Sequence, residues 1–232
     1  MYKEEALKST DRDAIIATLF YVISTAAVIF TWKDFEPRPL SAFTVLPTMS
    51  LTLTLALGLY FSRRSATILK SAPPREQSLR EKIREILTGA ATGILLFPLT
   101  FLLSWLTNYI IVSLGLPPPR QQLLVESLMH PDTTFAAKTI AAFSAIIIAP
   151  VSEEILNRWA IAGTIARRWN HTTAIIASSL FFSLLHLNLS SSLGIFAIGL
   201  TLAVIYFRTG SLIAPITAHA TYNTVSFIAM LI

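Results

Sequence analysis

Long apolar runs separated by short polar stretches dominate the sequence, and this pattern predicts membrane-spanning helices. A run of about 20 apolar residues is long enough to cross a bilayer as an α-helix. The candidate runs are residues 14–32, 42–61, 87–112, a run that begins at residue 135, 172–189, 193–207 and 212–232. We therefore expect an all-α protein, a polytopic membrane bundle of about seven transmembrane helices, because a helix satisfies its own backbone hydrogen bonds in lipid.

The composition agrees with a membrane protein. Hydrophobic residues make up 53% of the chain and charged residues 13%, whereas soluble domains carry about 25% charge. The net charge of +5 is explained by membrane topology and contact with anionic lipid, so we expect the bilayer and no nucleic acid as a partner. The chain has no cysteine, which excludes disulfides and thiolate metal sites.

Basic residues concentrate in one loop, residues 62–85. The loop holds Arg63, Arg64, Lys70, Arg75, Arg80, Lys82 and Arg84. The positive-inside rule predicts that this loop and the N-terminus are cytoplasmic, and we expect a multi-pass protein of a bacterial or archaeal cell membrane. Residues 77–87 are typical of an amphipathic surface helix, and residues 120–129 of a short interfacial helix. We divide the chain into an N-terminal transmembrane region, 1–132, and a C-terminal core, 133–232.

Two adjacent carboxylates, Glu153 and Glu154, end the uncharged part of the fourth run, and no Asp or Glu follows them. Ionisable groups at membrane depth indicate a functional site. Arg158 is four residues after Glu154, so we expect these two to share a helix face and to pair. Glu153 is rotated by about 100° from Glu154. Its +4 position is Asn157, which is not a cation, so Glu153 is left for general acid–base chemistry.

Two histidines lie in later apolar runs and supply further polar groups. Phe182 precedes His186 by four residues, and His219 precedes Asn223 by four, so each pair shares a helix face. Buried polar groups in a membrane need partners, and we therefore expect these groups to converge with the glutamates.

The spacing along the chain allows this convergence. His186 is 33 residues from Glu153 and 33 from His219, so helical hairpins can bring all three to one depth. We expect the turns that carry Arg167, Arg168 and Arg208 to be cytosolic, and the site to open toward the cytosol.

These motifs, in this order, resemble the CPBP family, which comprises CAAX proteases and bacteriocin-processing proteins. The motifs are Glu-Glu-x-x-x-Arg at residues 153–158, Phe-x-x-x-His at 182–186 and His-x-x-x-Asn at 219–223. Residues 209–219 also resemble the family's lead into its last motif, and the resemblance covers about residues 136–230. Asn157 and Trp159 depart from the family, which more often has an aromatic residue and a glycine beside the arginine.

The resemblance implies an intramembrane glutamic endopeptidase, similar to CAAX prenyl protease 2. Glu153 and His186 would activate a water molecule, and His219 and Asn223 would stabilise the oxyanion. The motif residues that would support the site are Glu154, Arg158 and Phe182. The substrate would be a membrane-associated protein or peptide, with or without a lipid group.

The sequence leaves open whether the site binds a metal ion. Two histidines and a carboxylate form a set that can bind zinc, and Glu153, His186 and His219 would be those ligands. The zinc signature His-Glu-x-x-His is absent from the sequence, so metal-free and zinc-dependent mechanisms both stay open.

Each motif alone also has a structural explanation. The glutamates and Arg158 could form an interfacial ion cluster, each histidine could be a packing residue, Asn223 could bridge two helices, and Phe182 is typical of packing. The alternative functions are a non-catalytic membrane scaffold or immunity protein and a transporter with a polar intramembrane site. A transporter would show matching broken helices in two halves, and the sequence shows none.

Overall fold

The computed structural model describes residues 77–117 and 128–231, together with positions 12, 15, 16, 18, 19 and 125. Apart from these isolated positions, the first two predicted spans and most of the predicted interfacial helix lie outside the described residues. The described part contains five helices and no strand. The all-α prediction is therefore confirmed, and the predicted number of about seven spans is not confirmed.

The five helices follow one another with short connections. They are α1 (Leu79–Ser113), α2 (Phe135–Arg168), α3 (His171–Leu185), α4 (Ser192–Thr209) and α5 (Ile213–Leu231). Among the described helices, α1, α2 and α4 are long and apolar enough to cross a membrane, whereas α3 is shorter. The chain is thus an integral membrane protein.

Helix α2 is continuous but changes its winding four times. Its α-helical segments are Phe135–Phe143, Ala149–Glu154 and Gly163–Arg168, and its π-helical segments are Ser144–Ile148 and Ile155–Ala162. π-Helical turns are rare in proteins, and those that occur are often found at functional sites. Here they flank the short α-helical segment that carries both glutamates.

Local sequence explains where α1 begins and where α4 ends. Ser78 and Glu81 form a capping box that satisfies free backbone N–H groups at the start of α1. The predicted surface helix over residues 77–87 and the third span form one helix, which also continues through Pro98. Helix α4 ends at Gly210, whose φ of 66° is left-handed and suits glycine.

Helices α1 and α5 approach each other closely at two glycines of α1. A Cβ atom on Gly89 would lie 2.5 Å from the carbonyl oxygen of Ala214, and one on Gly93 would lie 2.7 Å from Cβ of Thr221. Glycines four residues apart let two membrane helices approach closely. This contact fixes the position of α5, which carries His219 and Asn223.

The basic ends of the helices lie together. Helix α2 has Arg167 and Arg168 in its last turn, and α4 has Arg208 in its last turn. The His171 ring at the start of α3 stacks on Phe207 near the end of α4, with ring centroids 4.6 Å apart. The Gly89–Ala214 contact brings the first turns of α1 and α5 to the same end. We call this end of the bundle the basic end.

Candidate active site

Glu154 is the centre of a buried polar chain that joins α2 to α5. Arg158 Nε donates to Glu154 Oε2 at 2.7 Å, and His219 Nδ1 lies 3.1 Å from Glu154 Oε1. Glu154 and Arg158 are 0% exposed and His219 is 4% exposed. The structure therefore contains the Glu154–Arg158 pair that the spacing predicts. Because a carboxylate only accepts hydrogen bonds, the Nδ1 atom of His219 carries a proton.

Glu153 lies beside this chain but is held differently. Its Oε2 atom is 3.9 Å from His219 Nε2, which is longer than a hydrogen bond. Oε2 is buried and has no hydrogen-bond partner among the described residues. The backbone carbonyl of Glu153 accepts a hydrogen bond from Asn157 Nδ2 at 2.9 Å. A buried carboxylate oxygen without a partner is costly, so it marks a position where a donor from outside the chain can bind.

Phe182 connects the histidines with the arginine. Its ring centroid lies 5.4 Å from the guanidinium carbon of Arg158, within the range of a cation–π contact. The ring packs edge-on against His219 at 5.7 Å between centroids and tilts against His186 at 4.7 Å. Phe182 is also part of the apolar core of α1, α3, α4 and α5, as its packing interpretation predicts.

The position of His186 corrects one prediction. The sequence places His186 inside a helix that runs to residue 189, but α3 ends at Leu185 and His186 follows it as the cap. Leu187 adopts a φ of 45° and Asn188 accepts from the Ser191 backbone, so a turn forms where continued helix was expected. Asparagine and serine favour turns because their side chains bond to nearby backbone.

The ring of His186 has a defined tautomer in this position. Its Nδ1 atom lies 2.8 Å from the carbonyl oxygen of Phe182. A carbonyl oxygen can only accept, so Nδ1 carries the proton and Nε2 of the neutral ring is an acceptor. Among the described residues, His186 forms no hydrogen bond or ion pair with Glu153.

Asn223 links α5 to the first π-helical segment of α2. Its Nδ2 atom donates to the carbonyl oxygen of Ala145 at 2.7 Å. An amide nitrogen has two hydrogens, so one remains for another acceptor. Among the described residues, Asn223 forms no hydrogen bond with either glutamate.

Asn157 is a buried neighbour whose role the sequence did not predict. It is 1% exposed, and its Oδ1 atom has no partner among the described residues. Its position four residues after Glu153 is the signal that could have identified it, because residues four apart share a helix face. It holds the backbone at Glu153 rather than the carboxylate.

The predicted zinc ligands are not assembled into a metal site. Among the described residues, no three His, Asp or Glu side chains are placed to hold a metal ion. Glu153 approaches His219, whereas His186 contacts Phe182. As arranged, these residues do not fit a three-ligand zinc site, and a metal requirement stays a prediction.

Comparison with known proteins shows what this segment is similar to. Residues 135–225 match the family model described as type II CAAX prenyl endopeptidase, Rce1-like. The predicted family resemblance is confirmed. The match runs from the start of α2 into α5 and includes Glu153, His186 and His219, whereas α1 lies before it.

A protein of Bacillus subtilis (strain 168) also supports the family resemblance. It is named "Putative membrane peptidase YdiL" and is 37% identical over 78 residues. That alignment covers 34% of this chain and 32% of the Bacillus protein, so the chain spans about a third of this curated relative. No solved structure matches the chain. The two matches are thus to a CAAX prenyl endopeptidase family and to a putative membrane peptidase, and each covers less than half of this chain.

Proposed function

We propose that the protein is an intramembrane endopeptidase that hydrolyses a peptide bond in a membrane-associated protein or peptide. The observation that carries this proposal is the position of the Glu153 carboxylate. Its buried Oε2 atom has no partner among the described residues and lies 3.9 Å from His219 Nε2. A carboxylate placed in this way can accept a proton from a water molecule and act as a general base.

Glu153 and His186 together suit the activation of water. A water molecule has two hydrogens to donate, and the two side chains offer two acceptors, Glu153 Oε2 and His186 Nε2. The hydrogen bond of His186 Nδ1 to the Phe182 carbonyl fixes the tautomer that leaves Nε2 free. The water oxygen attacks the peptide carbonyl carbon, and Glu153 takes the proton and later delivers it to the leaving amine.

His219 and Asn223 are the proposed oxyanion donors. Because Nδ1 of His219 already bonds to Glu154, Nε2 can donate to an oxyanion only when the ring carries both protons. Asn223 contributes the amide hydrogen that Ala145 does not use. Preorganised donors of this kind stabilise the developing negative charge.

Glu154 and Arg158 are the proposed supports of the site. Arg158 balances the charge of Glu154 in a fully buried position, and Glu154 in turn orients the ring of His219. A buried charge is tolerated when it is paired and hydrogen-bonded. Phe182 holds Arg158, His186 and His219 against one ring.

The substrate class and the orientation belong to the same proposal. The description of the matching family supports a peptide substrate at the membrane, with or without a prenyl group. We propose that the site opens toward the cytosol, because the arginines of α2 and α4 lie together at the basic end of the bundle. The predicted cytoplasmic N-terminus lies outside the described residues and stays a prediction. The mechanism depends on Glu153, and a zinc requirement is tested by activity before and after chelation.

The decisive experiment compares new peptide termini in membranes from cells that express wild type or Glu153→Gln at matched levels. We expect cleavage products that are present with wild type and reduced by about 10²–10⁴-fold with the variant, the range for loss of a general base. The matched control is Asp132→Asn, because Asp132 is an exposed carboxylate that pairs only loosely with His130.

The control should leave all products in place. Identical termini in wild type and Glu153→Gln, with candidate substrates present, would instead assign the polar cluster a structural role. Products that disappear in both variants would show that altered charge, and not the base, was responsible.

A further inference from the structure

A second polar site lies at the basic end, between the start of α1 and the turn that joins α4 to α5. It is a cavity of about 830 Å³ whose lining includes Glu81, Lys82, Arg84 and Glu85 of α1, Arg208 and Thr209 at the end of α4, and Ser211 of the turn. None of the candidate active-site residues lines it. The cavity therefore needs an explanation of its own.

The cavity contains a buried acid that is only half satisfied. Glu85 is 6% exposed, and its Oε1 atom accepts a hydrogen bond from Gln77 Nε2 at 2.6 Å. Its Oε2 atom is buried and has no partner among the described residues. A carboxylate in this condition needs a donor, and a cationic donor forms the strongest hydrogen bond to it.

Positive charge lines the same cavity. Lys82 and Arg84 precede Glu85 on α1, and Arg208 lies in the last turn of α4. These three cations outnumber the two lining carboxylates, Glu81 and Glu85. Arg208 forms no ion pair with another described residue. Lysine and arginine bind phosphate oxygens well, so the cavity offers an anion site beside a site for a cationic donor.

An apolar groove continues from the cavity along α1 and α4. The groove has a volume of about 440 Å³ and is lined by Thr92, Leu200, Val204 and Ile205, among others. It shares Thr88, Arg208 and Thr209 with the cavity. From residue 200 to residue 208 the groove follows α4 for about 12 Å at 1.5 Å per residue. A ligand with a charged head and an apolar tail would fill both spaces.

We propose that this cavity and groove bind a phospholipid whose head group carries a phosphate and a primary ammonium. The ammonium donates to Glu85, the phosphate lies near Lys82 and Arg208, and one acyl chain follows the groove between α1 and α4. The position suits such a lipid, because α4 is a membrane span that ends at the cavity. The site goes beyond the proposed peptidase activity and does not depend on it.

The test measures lipid binding to the full chain purified in dodecyl maltoside. Three probes are added: dioleoyl phosphatidylethanolamine, dioleoyl phosphatidylcholine and monoolein. Phosphatidylcholine has the phosphate but no N–H donor, and monoolein has the chain but no charge. Native mass spectrometry should show that wild type binds the ethanolamine lipid about tenfold more tightly than the choline lipid, with monoolein weaker still.

Two variants separate the parts of the head group. Glu85→Gln should remove the preference for ethanolamine over choline, and Arg208→Gln should weaken the binding of both phospholipids. The matched control is Lys138→Gln, which removes a cation near the start of α2 and should change neither affinity. Thermal melting of each variant without lipid checks that it is folded.

Clear results would overturn the proposal. Equal binding of the ethanolamine and choline lipids by wild type would exclude the role of Glu85, and equal binding of monoolein would exclude head-group recognition altogether. A preference for ethanolamine that survives in Glu85→Gln would also reject it. If Glu85→Gln does not fold, the wild-type lipid comparison and Arg208→Gln still decide the question.

Discussion

The two polar regions of the bundle treat their charges in different ways. In the first, hydrogen bonds link Arg158, Glu154 and His219 in a series nearly free of solvent, which we call the closed chain. Only Nε of Arg158 takes part, and its Nη1 and Nη2 atoms are buried without a hydrogen-bond partner among the described residues. In the second, Arg208 and Glu85 line an open cavity at the basic end. Charges inside a membrane must pair with each other, whereas charges at its boundary can interact with water or with lipid head groups.

The two regions nevertheless share one feature. Each keeps a buried carboxylate oxygen without a hydrogen-bond partner among the described residues, Glu153 Oε2 in the first and Glu85 Oε2 in the second. In both regions, this unpartnered oxygen marks where a molecule from outside the chain would bind.

The largest expected loss of stability follows from opening the closed chain. Arg158→Met leaves Glu154 charged and buried with His219 as its remaining partner, so we expect the free energy of unfolding to fall by about 3–5 kcal/mol. SDS-induced unfolding in mixed micelles measures this change.

A double variant sharpens this result. Glu154→Gln combined with Arg158→Met removes both charges, and we expect it to be more stable than Arg158→Met alone. If Arg158→Met unfolds like wild type, the closed chain does not stabilise the bundle and the contrast between the two regions fails.

A smaller loss is expected from the contact that separates the two regions. In Gly93→Ala, the new Cβ would lie 2.7 Å from Cβ of Thr221, so α1 and α5 must move apart. We expect a loss of about 1–3 kcal/mol, the usual cost of overpacking. Ala91→Val, on the exposed face of α1, is the control and should change stability little. A neutral Gly93→Ala would show that the close approach is not needed.

The smallest effect is expected at Asn157. Its Nδ2 atom donates to the Glu153 carbonyl, but its Oδ1 atom is buried without a partner among the described residues. Truncation to alanine therefore loses one hydrogen bond but also removes one buried, unpaired oxygen, and the two effects partly cancel. We expect Asn157→Ala to lower the free energy of unfolding by about 1 kcal/mol or less. A loss above about 3 kcal/mol would mean that Asn157 belongs to the closed chain.

Much of the local structure could be predicted from the sequence. The apolar runs 193–207 and 212–232 correspond to Ser192–Thr209 and Ile213–Leu231, because hydrophobic length is a strong signal in membrane proteins. The Glu154–Arg158 pair follows from a spacing of four on one helix. Both are local properties that require no knowledge of the partner helices.

Contacts between helices were harder to predict. The sequence indicates that His219 meets the glutamates, but it does not show that Glu154, 65 residues away, takes the hydrogen bond. His186 lies after the end of α3, because a turn at Leu187 and Asn188 replaced the last part of the predicted helix. Glu85 lies in the predicted surface helix 77–87, and the sequence does not show that it lines a cavity together with the turn after α4.

The π-helical segments of α2 have a further consequence for the direction of the catalytic motif. A π turn holds more residues than an α turn, because each hydrogen bond spans five residues instead of four. Segments Ser144–Ile148 and Ile155–Ala162 thus offset the angular register on both sides of Ala149–Glu154. A helical wheel drawn from Phe135 at 100° per residue would therefore assign Glu153 to the wrong face of α2.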